Sequence, residues 1–275
     1  MGVLDGKVAI VTGSARGIGR ATAELLSAQG ASVLINDLDG DVAQQTASEI
    51  AGETAVFAGD LTKGDAPDRL VQTAIDAWGR IDIIVNNAGY TLDGPVHKLS
   101  DDWWQRMLDI HVTVPFRVVR AAAPHLREPA KAEREQGVEV FRKIVNVSST
   151  SGTMGNAGQA NYSAAKSAVV GLTKTLAKEW GQFKINCNAV AFGFIDTRLT
   201  QSKDEANKMT IDGEEVQLGI PDQLRGMSQM LIPIGRSAKP EEAAGGVFFL
   251  CSPWSNYVHG QVLNVTGGLF TGMTT

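Results

Sequence analysis

The sequence has little cysteine and no long apolar run. Cys187 and Cys251 are its two cysteines among 275 residues, and both lie in apolar segments. That number excludes a disulfide scaffold and is typical of buried thiols in a reducing compartment, with a pairing of the two thiols as the alternative. No apolar stretch approaches the roughly 18–20 residues of a membrane span, and the short start before the first apolar run cannot hold a signal peptide. We therefore expect a soluble, cytoplasmic protein without a membrane partner.

The sequence also lacks an excess of positive charge. It carries 25 Lys and Arg against 30 Asp and Glu, a formal net charge of -5, and no block of basic residues. This balance argues against a nucleic-acid partner and against an anionic membrane surface. The hydrophobic share of 43% excludes disorder as the dominant state. The 30 glycines are slightly more than an average share, so their positions are of interest.

Short apolar runs alternate with segments that have apolar residues at helical spacing. This order predicts βαβ units, a mostly parallel sheet and, through right-handed crossovers, helices on both faces. The predicted fold class is therefore α/β, a doubly wound parallel sheet of seven strands, in a single domain over residues 1–275. The predicted strands are 7–12, 32–37, 55–58, 81–86, 143–147, 185–190 and 262–265, and the predicted helices are 18–29, 41–51, 66–78, 101–126, 160–180 and 240–250.

Two stretches depart from the alternation. Residues 127–142 are highly charged, and we expect them to form a solvated surface excursion between a helix and a strand. Residues 198–233 mix Met, Leu and Ile with polar residues. An insertion of that length inside a compact domain usually serves as a lid or a binding loop. We therefore expect a substrate-binding lid at 198–233.

Glycines cluster between the first predicted strand and the first predicted helix. Gly13, Gly17 and Gly19 occur there together with Arg16 and Ile18. Glycine permits a tight turn and a close approach of the backbone to a ligand, and free N–H groups at a helix N-terminus bind anions. Such a loop can serve only as a connection, but a strand before it and a helix after it are the context of a dinucleotide phosphate site. We expect these five residues to bind a cofactor.

An acidic residue ends the second predicted strand. Asp37 is at the position from which a carboxylate can accept hydrogen bonds from the ribose diol of adenosine. A carboxylate there repels a 2′-phosphate and favours NAD over NADP. Arg16 could instead pair with a 2′-phosphate, but Leu38 supplies no second basic group, and a plain acid at a strand end is the further alternative. The expected cofactor is NAD, with NADP less favoured, and no metal ligands are assigned.

Three polar residues later in the chain suggest acid–base chemistry. Tyr162 and Lys166 are spaced i, i+4 and share one face of the helix predicted at 160–180. An adjacent ammonium stabilises the phenolate and is expected to move the pKa of Tyr162 towards neutrality. Tyr162 could then act as general acid in ketone reduction and as general base in alcohol oxidation. Ser149 could donate a hydrogen bond to the substrate oxygen, where negative charge develops.

With these residues the chain resembles the short-chain dehydrogenase/reductase family over essentially its whole length. The matching segments are Thr12-Gly13-x3-Gly17-x-Gly19, Asp60, Asn86-Asn87-Ala88-Gly89, Ser149, Tyr162-x3-Lys166, Gly193-Phe194-Ile195-x-Thr197 and 260–268. The resemblance implies a Rossmann fold and hydride transfer by a nicotinamide cofactor. It also implies a homodimer or homotetramer built on the helices at 101–126 and 160–180.

The resemblance implies a role for individual residues as well. Asp60 and Leu61 would face the adenine, and Asn87, Ala88 and Gly89 would line the cofactor trough. The residues implied around the nicotinamide, its ribose and its phosphate are Tyr162, Lys166, Gly193, Ile195 and Thr197.

Two positions depart from the family pattern. Phe192 stands where members carry a Pro before the glycine, and we expect a looser turn there without loss of a catalytic group. His111 stands where members usually carry an Asn that steadies a water linking the lysine to solvent. Histidine can relay protons at physiological pH, so we expect a working relay with an altered pH dependence. A histidine that is merely packed is the alternative.

The substrate is expected from the resemblance alone. Residues 151–162 are similar to members that reduce 3-oxoacyl thioesters, and the segments around His111 and Tyr162 resemble (3R)-hydroxyacyl-CoA dehydrogenases. The expected function is NAD-dependent interconversion of a secondary alcohol and a ketone, on a 3-hydroxyacyl or 3-oxoacyl thioester. A dehydrogenase of a steroid, a polyol or another secondary alcohol is one alternative, and a catalytically silent NAD-binding sensor is another.

Overall fold

A computed structural model describes residues 2–202, 208–211, 214–220 and 222–269. Its strands are β1 (Val8–Val11), β2 (Ser32–Asp37), β3 (Thr54–Ala58), β4 (Ile83–Asn86), β5 (Arg142–Ser149), β6 (Ile185–Phe192), β7 (Lys208–Ile211), β8 (Glu214–Gln217) and β9 (Val262–Val265). A seven-stranded sheet has the order β3-β2-β1-β4-β5-β6-β9, and every neighbouring pair in it is parallel. The predicted α/β fold class is confirmed.

The helices connect successive strands. They are α1 (Gly17–Ala28), α2 (Gly40–Glu49), α3 (Ala66–Trp78), α4 (Asp101–Leu108), α5 (Val114–Glu135), α6 (Thr150–Met154), α7 (Ala160–Trp180), α8 (Asp222–Met230) and α9 (Pro240–Cys251). None of the helices within the described residues is both long enough and apolar enough to cross a bilayer.

The strand order reverses between β1 and β4. From β1 the chain continues to β2 and β3 on one side, and it then returns to place β4 on the other side of β1. The loops that follow β1 and β4 therefore diverge at the carboxyl edge of the sheet. In open parallel sheets this switch point is where a ligand-binding crevice forms.

Side chains alternate along the strands into two apolar cores. Ile10 and Ile84 belong to the core that packs against α3, α5 and α7. Val11 and Val85 belong to the core on the opposite face, against α1, α2 and α9. Strands buried on both faces need continuous apolar runs, which explains why the sequence pattern located them. Both cysteines are free and buried, so the alternative of a disulfide between them is wrong.

Most of the charged stretch at 127–142 lies on the surface as expected, but its first part is helical and its two ends are tied together. Helix α5 continues through it to Glu135, and Arg142 is a buried residue of β5. The Arg142 guanidinium donates to both carboxylate oxygens of Glu133, at 2.7 and 2.8 Å. Ala130 is buried beneath the same turns. The pair of Glu133 and Arg142 therefore attaches the end of α5 to the first residue of β5.

The helix predicted at 101–126 is also interrupted. A π-helical turn at Asp109–Thr113 separates α4 from α5. The turn carries His111, and it rotates the face that follows relative to α4. Apolar spacing alone predicted one continuous helix because the extra residue in such a turn leaves little trace in the pattern.

Residues 198–233 contain regular structure rather than an open loop. Strands β7 and β8 form an antiparallel hairpin, and α8 follows them. Arg225 of α8 donates to the Asp196 carboxylate at 3.2 Å. Leu218 is buried, whereas Met230 and Leu231 are exposed. Residues 203–207, 212–213 and 221 of the predicted lid lie outside the described residues.

Candidate active site

The loop between β1 and α1 requires its three glycines. Gly13 and Gly17 have φ angles of 62° and 55°, in the left-handed region. A Cβ on Gly19 would lie 2.1 Å from the Gly13 carbonyl oxygen. Among the described residues, α1 begins without a capping side chain and without an acidic residue in its first turn. Its first N–H groups therefore point towards the switch point and are available to an anion.

Asn87 and Thr12 fix this loop to the end of β4. The Asn87 Nδ2 group donates to the carbonyl oxygens of Thr12 and Gly13, both at 2.9 Å. The Thr12 hydroxyl accepts from the N–H groups of Asn87 and Ala88, both at 3.0 Å. The side chain of Asn87 therefore braces the glycine loop. The sequence prediction had placed Asn87 in the trough but had given Thr12 no role.

Asp37 lies at the carboxyl end of β2, beside the glycine loop. Its carboxylate accepts from the Ala15 N–H at 3.1 Å and from the Leu38 N–H at 2.9 Å. Asp60 holds the turn after β3 by accepting from the N–H and the hydroxyl of Thr62, at 2.8 and 2.7 Å. Both carboxylates keep a fixed orientation along the same edge of the sheet.

A cleft of about 280 Å³ opens at the switch point. Twelve of the predicted cofactor residues line it: Gly13, Arg16, Gly17, Ile18, Gly19, Asp37, Asp60, Leu61, Asn87, Ala88, Gly89 and Thr197. The cleft is also lined by residues that the sequence did not single out, among them Asn36, Gly59, Thr62, Lys63, Tyr90, Arg106, Asp109, Ile110, Arg198, Leu199 and Leu218. The positive-φ glycines and the uncapped helix start fit the diphosphate of a dinucleotide.

Four predicted cofactor residues lie outside the lining of this cleft. Ile195 is buried in the core beside α9, and Gly193 donates its N–H to the Val265 carbonyl at 3.0 Å. Tyr162 and Lys166, on the first turns of α7, are the other two. Gly193 and Ile195 therefore anchor the start of the lid to the sheet in this structure.

The predicted catalytic residues meet where β5 ends and α7 begins. Ser149 is the last residue of β5, and its hydroxyl caps α6 by accepting from the Ser151 N–H at 3.1 Å. The Lys166 ammonium donates to the Val147 carbonyl at 2.7 Å. The Lys166 Nζ lies 5.6 Å from the centroid of the Tyr162 ring. The predicted trio is brought together.

The pKa of Tyr162 is not the one expected from the sequence. Burial raises the pKa of Tyr162 to about 12, and a hydrogen bond with Ser149 offsets only part of that rise. Burial also lowers the pKa of Lys166 to about 7. The expectation that the ammonium moves the phenol towards neutrality is therefore wrong for this structure. Loss of water costs the Tyr162 phenolate more than the hydrogen bond with Ser149 returns, and loss of water is also the cause of the lowered pKa of Lys166.

His111 packs directly against this group. Its Nε2 lies 2.8 Å from the Tyr90 carbonyl oxygen, and its ring meets the Tyr162 ring edge-on at 5.1 Å. Because a carbonyl only accepts, Nε2 carries the proton and Nδ1 is an acceptor. Nδ1 is buried and has no hydrogen-bond partner among the described residues. Burial, together with the charge of Lys166, holds the pKa of His111 well below its usual range.

Gly89 lies between the His111 ring and the cleft. A Cβ at Gly89 would lie 2.2 Å from the Cε1 atom of the His111 ring, so only glycine leaves room for the imidazole. Gly89 and Tyr90 both line the cleft. The acid–base residues therefore adjoin one end of the cleft, and the glycine loop with Asp37 forms the other.

Comparison with known proteins identifies the class. Residues 13–270 match a family model described as Enoyl-(Acyl carrier protein) reductase. The chain belongs to the short-chain dehydrogenase/reductase family, and it is an oxidoreductase of the type that uses a nicotinamide dinucleotide.

Individual relatives of the chain carry more specific names than the family does. The chain is 35% identical over 269 residues to the 3-oxoacyl-[acyl-carrier-protein] reductase FabG of Thermotoga maritima, covering 97% of this chain and 98% of that protein. It is 36% identical over 267 residues to the FabG of Vibrio cholerae, with 97% and 98% covered. It is 36% identical over 274 residues to the 3-oxoacyl-[acyl-carrier-protein] reductase of Synechocystis, with 98% and 99% covered.

Proposed function

We propose that the protein is an NAD-dependent oxidoreductase that interconverts a 3-oxoacyl thioester and its 3-hydroxyacyl form. The observation that carries the proposal is the meeting of Ser149, Tyr162 and Lys166 beside a cleft that has a glycine loop and Asp37 at its other end. Proton transfer and dinucleotide binding are the two functions that such a reaction requires.

Each side chain has a distinct task in this reaction. A nicotinamide cofactor, when bound, would supply or accept the hydride. The Tyr162 phenol, protonated at neutral pH because of its raised pKa, donates a proton to the substrate oxygen during reduction. The Ser149 hydroxyl donates a second hydrogen bond to that oxygen. The Lys166 ammonium, fixed by the Val147 carbonyl, would hold the cofactor ribose and would supply positive charge near the phenol.

NAD is the proposed cofactor because of Asp37. Its carboxylate lines the cleft and is oriented by the N–H groups of Ala15 and Leu38. A ribose diol can donate to it, whereas a 2′-phosphate would meet like charge. The contacts proposed for Gly193, Ile195 and Thr197 with the nicotinamide end of the cofactor follow the family pattern. Ile195 is buried in the core, so it would reach the cofactor only after its side chain or the lid rearranges.

The acyl substrate is proposed from the relatives and from the lid. The relatives at 35–36% identity are named for reduction of a 3-oxoacyl group on a carrier protein. Leu199 and Leu218, from the lid at 198–233, line the cleft and suit an apolar chain. A steroid, a polyol or another secondary alcohol is the second candidate substrate, favoured only by the apolar lid.

We propose His111 as a positioning residue of the proton relay. Its neutral ring donates from Nε2 to the Tyr90 carbonyl, so the bare Nδ1 is left as an acceptor next to Tyr162 and Lys166. A water held by Nδ1 would connect the lysine to solvent. Because the pKa of His111 is depressed, the ring would act by accepting this hydrogen bond and would not titrate in the neutral range.

The proposal includes a homodimer or homotetramer in the cytoplasm. Trp103 and Trp104 of α4 and Phe116 of α5 are exposed apolar side chains on the helices that the family resemblance places in subunit contacts. Covering these rings would favour association.

A substrate panel tests the proposed function. Oxidation of NADH or NADPH would be followed at 340 nm with acetoacetyl-CoA, a 3-oxoacyl carrier-protein thioester, a ketosteroid and a ketose. We expect turnover with a thioester and NADH, and a clear preference for NADH over NADPH. Turnover of the ketosteroid or the ketose alone would contradict the thioester proposal. Absence of turnover, with NADH still bound, would favour a silent NAD-binding protein.

A further inference from the structure

Arg16 lies in the cleft but is already engaged by an acidic residue. The Arg16 guanidinium donates from NH2 to the Asp39 Oδ2 atom at 2.8 Å. Arg16 is the residue before α1, on the glycine loop, and it lines the cleft together with Asp37. It is therefore the cation on the loop that a 2′-phosphate beside Asp37 would need.

Asp39 is held in place independently of this ion pair. It is the N-cap of α2, and its Oδ1 accepts from the Val42 N–H at 3.3 Å. Its own N–H donates to the Asp37 Oδ1 at 3.4 Å. The Arg16 guanidinium, with the cap bond, holds the pKa of the Asp39 carboxyl below its usual range. The second oxygen of Asp39 is thereby directed at Arg16.

We propose that Asp39 determines cofactor choice by keeping Arg16 from a 2′-phosphate. The inference deepens the proposed NAD preference and rests on it. Arg16 contributes one positive charge, and Asp37 and Asp39 contribute one negative charge each. The net charge of these three side chains is negative, so they repel a 2′-phosphate. With Asp39 neutral, the local charges balance and both guanidinium donors become available to a phosphate, which arginine binds in a bidentate manner.

Arg16 differs from the other basic side chains that line the cleft. Lys63, Arg106 and Arg198 also line the cleft. Arg106 pairs with Asp102, and Arg198 donates to the Lys208 carbonyl. Lys63 follows β3, on the Asp60 turn, and its ammonium can contribute a general positive field. Arg16 is distinguished by its direct ion pair with a residue next to Asp37.

The experiment measures binding of the adenosine end alone. Adenosine 2′,5′-bisphosphate and 5′-AMP differ only in the 2′-phosphate, and neither can be turned over. Calorimetry would compare the wild type with Asp39→Asn, which keeps a cap acceptor for Val42. Asp41→Asn is the matched control, because Asp41 carries the same charge on the first turn of α2. Arg16→Ala/Asp39→Asn tests whether Arg16 is the group released.

We expect Asp39→Asn to bind the bisphosphate about fivefold more tightly, because a negative charge that pairs with Arg16 and repels the phosphate is removed. The factor is small because water screens exposed charges. Its affinity for 5′-AMP should change less than twofold. Asp41→Asn should change neither, and the double variant should lose the gain. No gain in Asp39→Asn, an equal gain in Asp41→Asn, or a gain that survives without Arg16 would each overturn the proposal.

A second variant at Asp39 and the affinities of the wild type serve as further controls. If Asp39→Asn melts at a lower temperature than the wild type, Asp39→Ser repeats the test with a different N-cap residue. If the wild type already binds the bisphosphate more tightly than 5′-AMP, the proposed NAD preference is wrong, and that result is separate from the Asp39 comparison. Failure of the thioester substrate leaves the binding measurement unaffected.

Discussion

The two ends of the cleft handle charge in different ways. At the proposed catalytic end, formed by Ser149, Tyr162, Lys166 and His111, the ionisable groups are buried: Lys166 is 4% exposed and His111 is 3% exposed. At the other end, the proposed adenosine end around Arg16, Asp37 and Asp39, the side chains of Arg16 and Asp39 are 37% and 45% exposed and form an ion pair. Burial shifts the pKa values at the first end strongly, whereas water screens the charges at the second.

This difference predicts how each end responds to substitution. A charged group buried at a functional site lowers the stability of the folded protein and interacts strongly with whatever binds beside it. An exposed ion pair contributes little free energy, so its loss should change the preference between two cofactors only modestly. Changes at the catalytic end should therefore alter kcat by orders of magnitude, and changes at the adenosine end should alter cofactor affinity by small factors.

The largest effect is expected from Tyr162→Phe. The variant keeps the ring that packs against His111 but lacks the proton that the reaction requires. We expect kcat to fall about a thousandfold, in the range for loss of a general acid, with the KM for NADH little changed. Steady-state kinetics at 340 nm provide the measurement.

Tyr257→Phe is the matched control for this substitution. Tyr257 is fully exposed, at 103%, so its loss should leave kcat unchanged. A Tyr162→Phe variant with full activity would remove the catalytic end from the mechanism altogether.

The second prediction concerns Lys166→Met. Activity should fall about a hundredfold because the charge near the phenol is lost, while the folded protein becomes more stable at pH 7. The folded-state pKa of Lys166 is about 7, and the unfolded value is about 10.4. The unfolded chain therefore binds more protons between these values, so the wild type gains stability as the pH rises through this window. The variant lacks this gain.

Urea unfolding at pH 7, 8 and 9 tests whether the free energy of unfolding of the wild type rises with pH relative to that of Lys166→Met. The stability advantage of Lys166→Met over the wild type should be largest at pH 7 and should shrink towards pH 9. Lys174→Met, at an exposed position of α7, should show no such trend. An advantage that is independent of pH would mean that burial of the charge does not govern this end of the cleft.

Much of the fold could be predicted from the sequence because its signals are local. The apolar runs that become β1, β2 and β4 are continuous, since both faces of the sheet are covered. The three glycines of the loop are required by positive φ angles and by a close approach of the backbone, which are equally local causes.

The parts that could not be predicted depend on distant contacts. The extension of α5 to Glu135 is supported by the pairing of Glu133 with Arg142 of the adjacent strand. The raised pKa of Tyr162 arises from burial by residues far apart in sequence. His111 was singled out at the sequence level, but the bond of its ring to Tyr90 depends on the π-helical turn, which apolar spacing does not reveal.

The third prediction tests His111 as a positioning residue. His111→Leu removes both ring nitrogens, and we expect kcat to fall about tenfold with KM for the thioester nearly unchanged. His111→Gln keeps a donor that can reach the Tyr90 carbonyl and an acceptor, so it should recover most of kcat. His97→Leu, at an exposed position, is the control.

A purely packed His111 would give a different pattern. Leu would then support catalysis as well as Gln does, and both variants would differ from the wild type mainly in melting temperature. Because the pKa of His111 is depressed by burial, the pH profile of kcat near pH 6.5 should have the same shape in the wild type and in His111→Gln. A step near pH 6.5 that is lost in His111→Gln would contradict the acceptor role.

The smallest effect is expected at the adenosine end, from Asp37→Asn. Asn can still accept from the Ala15 or the Leu38 N–H, so the loop should keep its shape, but it cannot attract a ribose diol as a carboxylate does. We expect the affinity for NADH to fall about fivefold and the preference for NADH over NADPH to narrow, with kcat unchanged, because Asp37 is a partly exposed charge that water screens. Fluorescence titration with both cofactors measures it. A fall in kcat as large as that of His111→Leu would mean that the two ends are coupled through the glycine loop, since Asp37 contacts Ala15 while Asn87 joins Gly13 to β4.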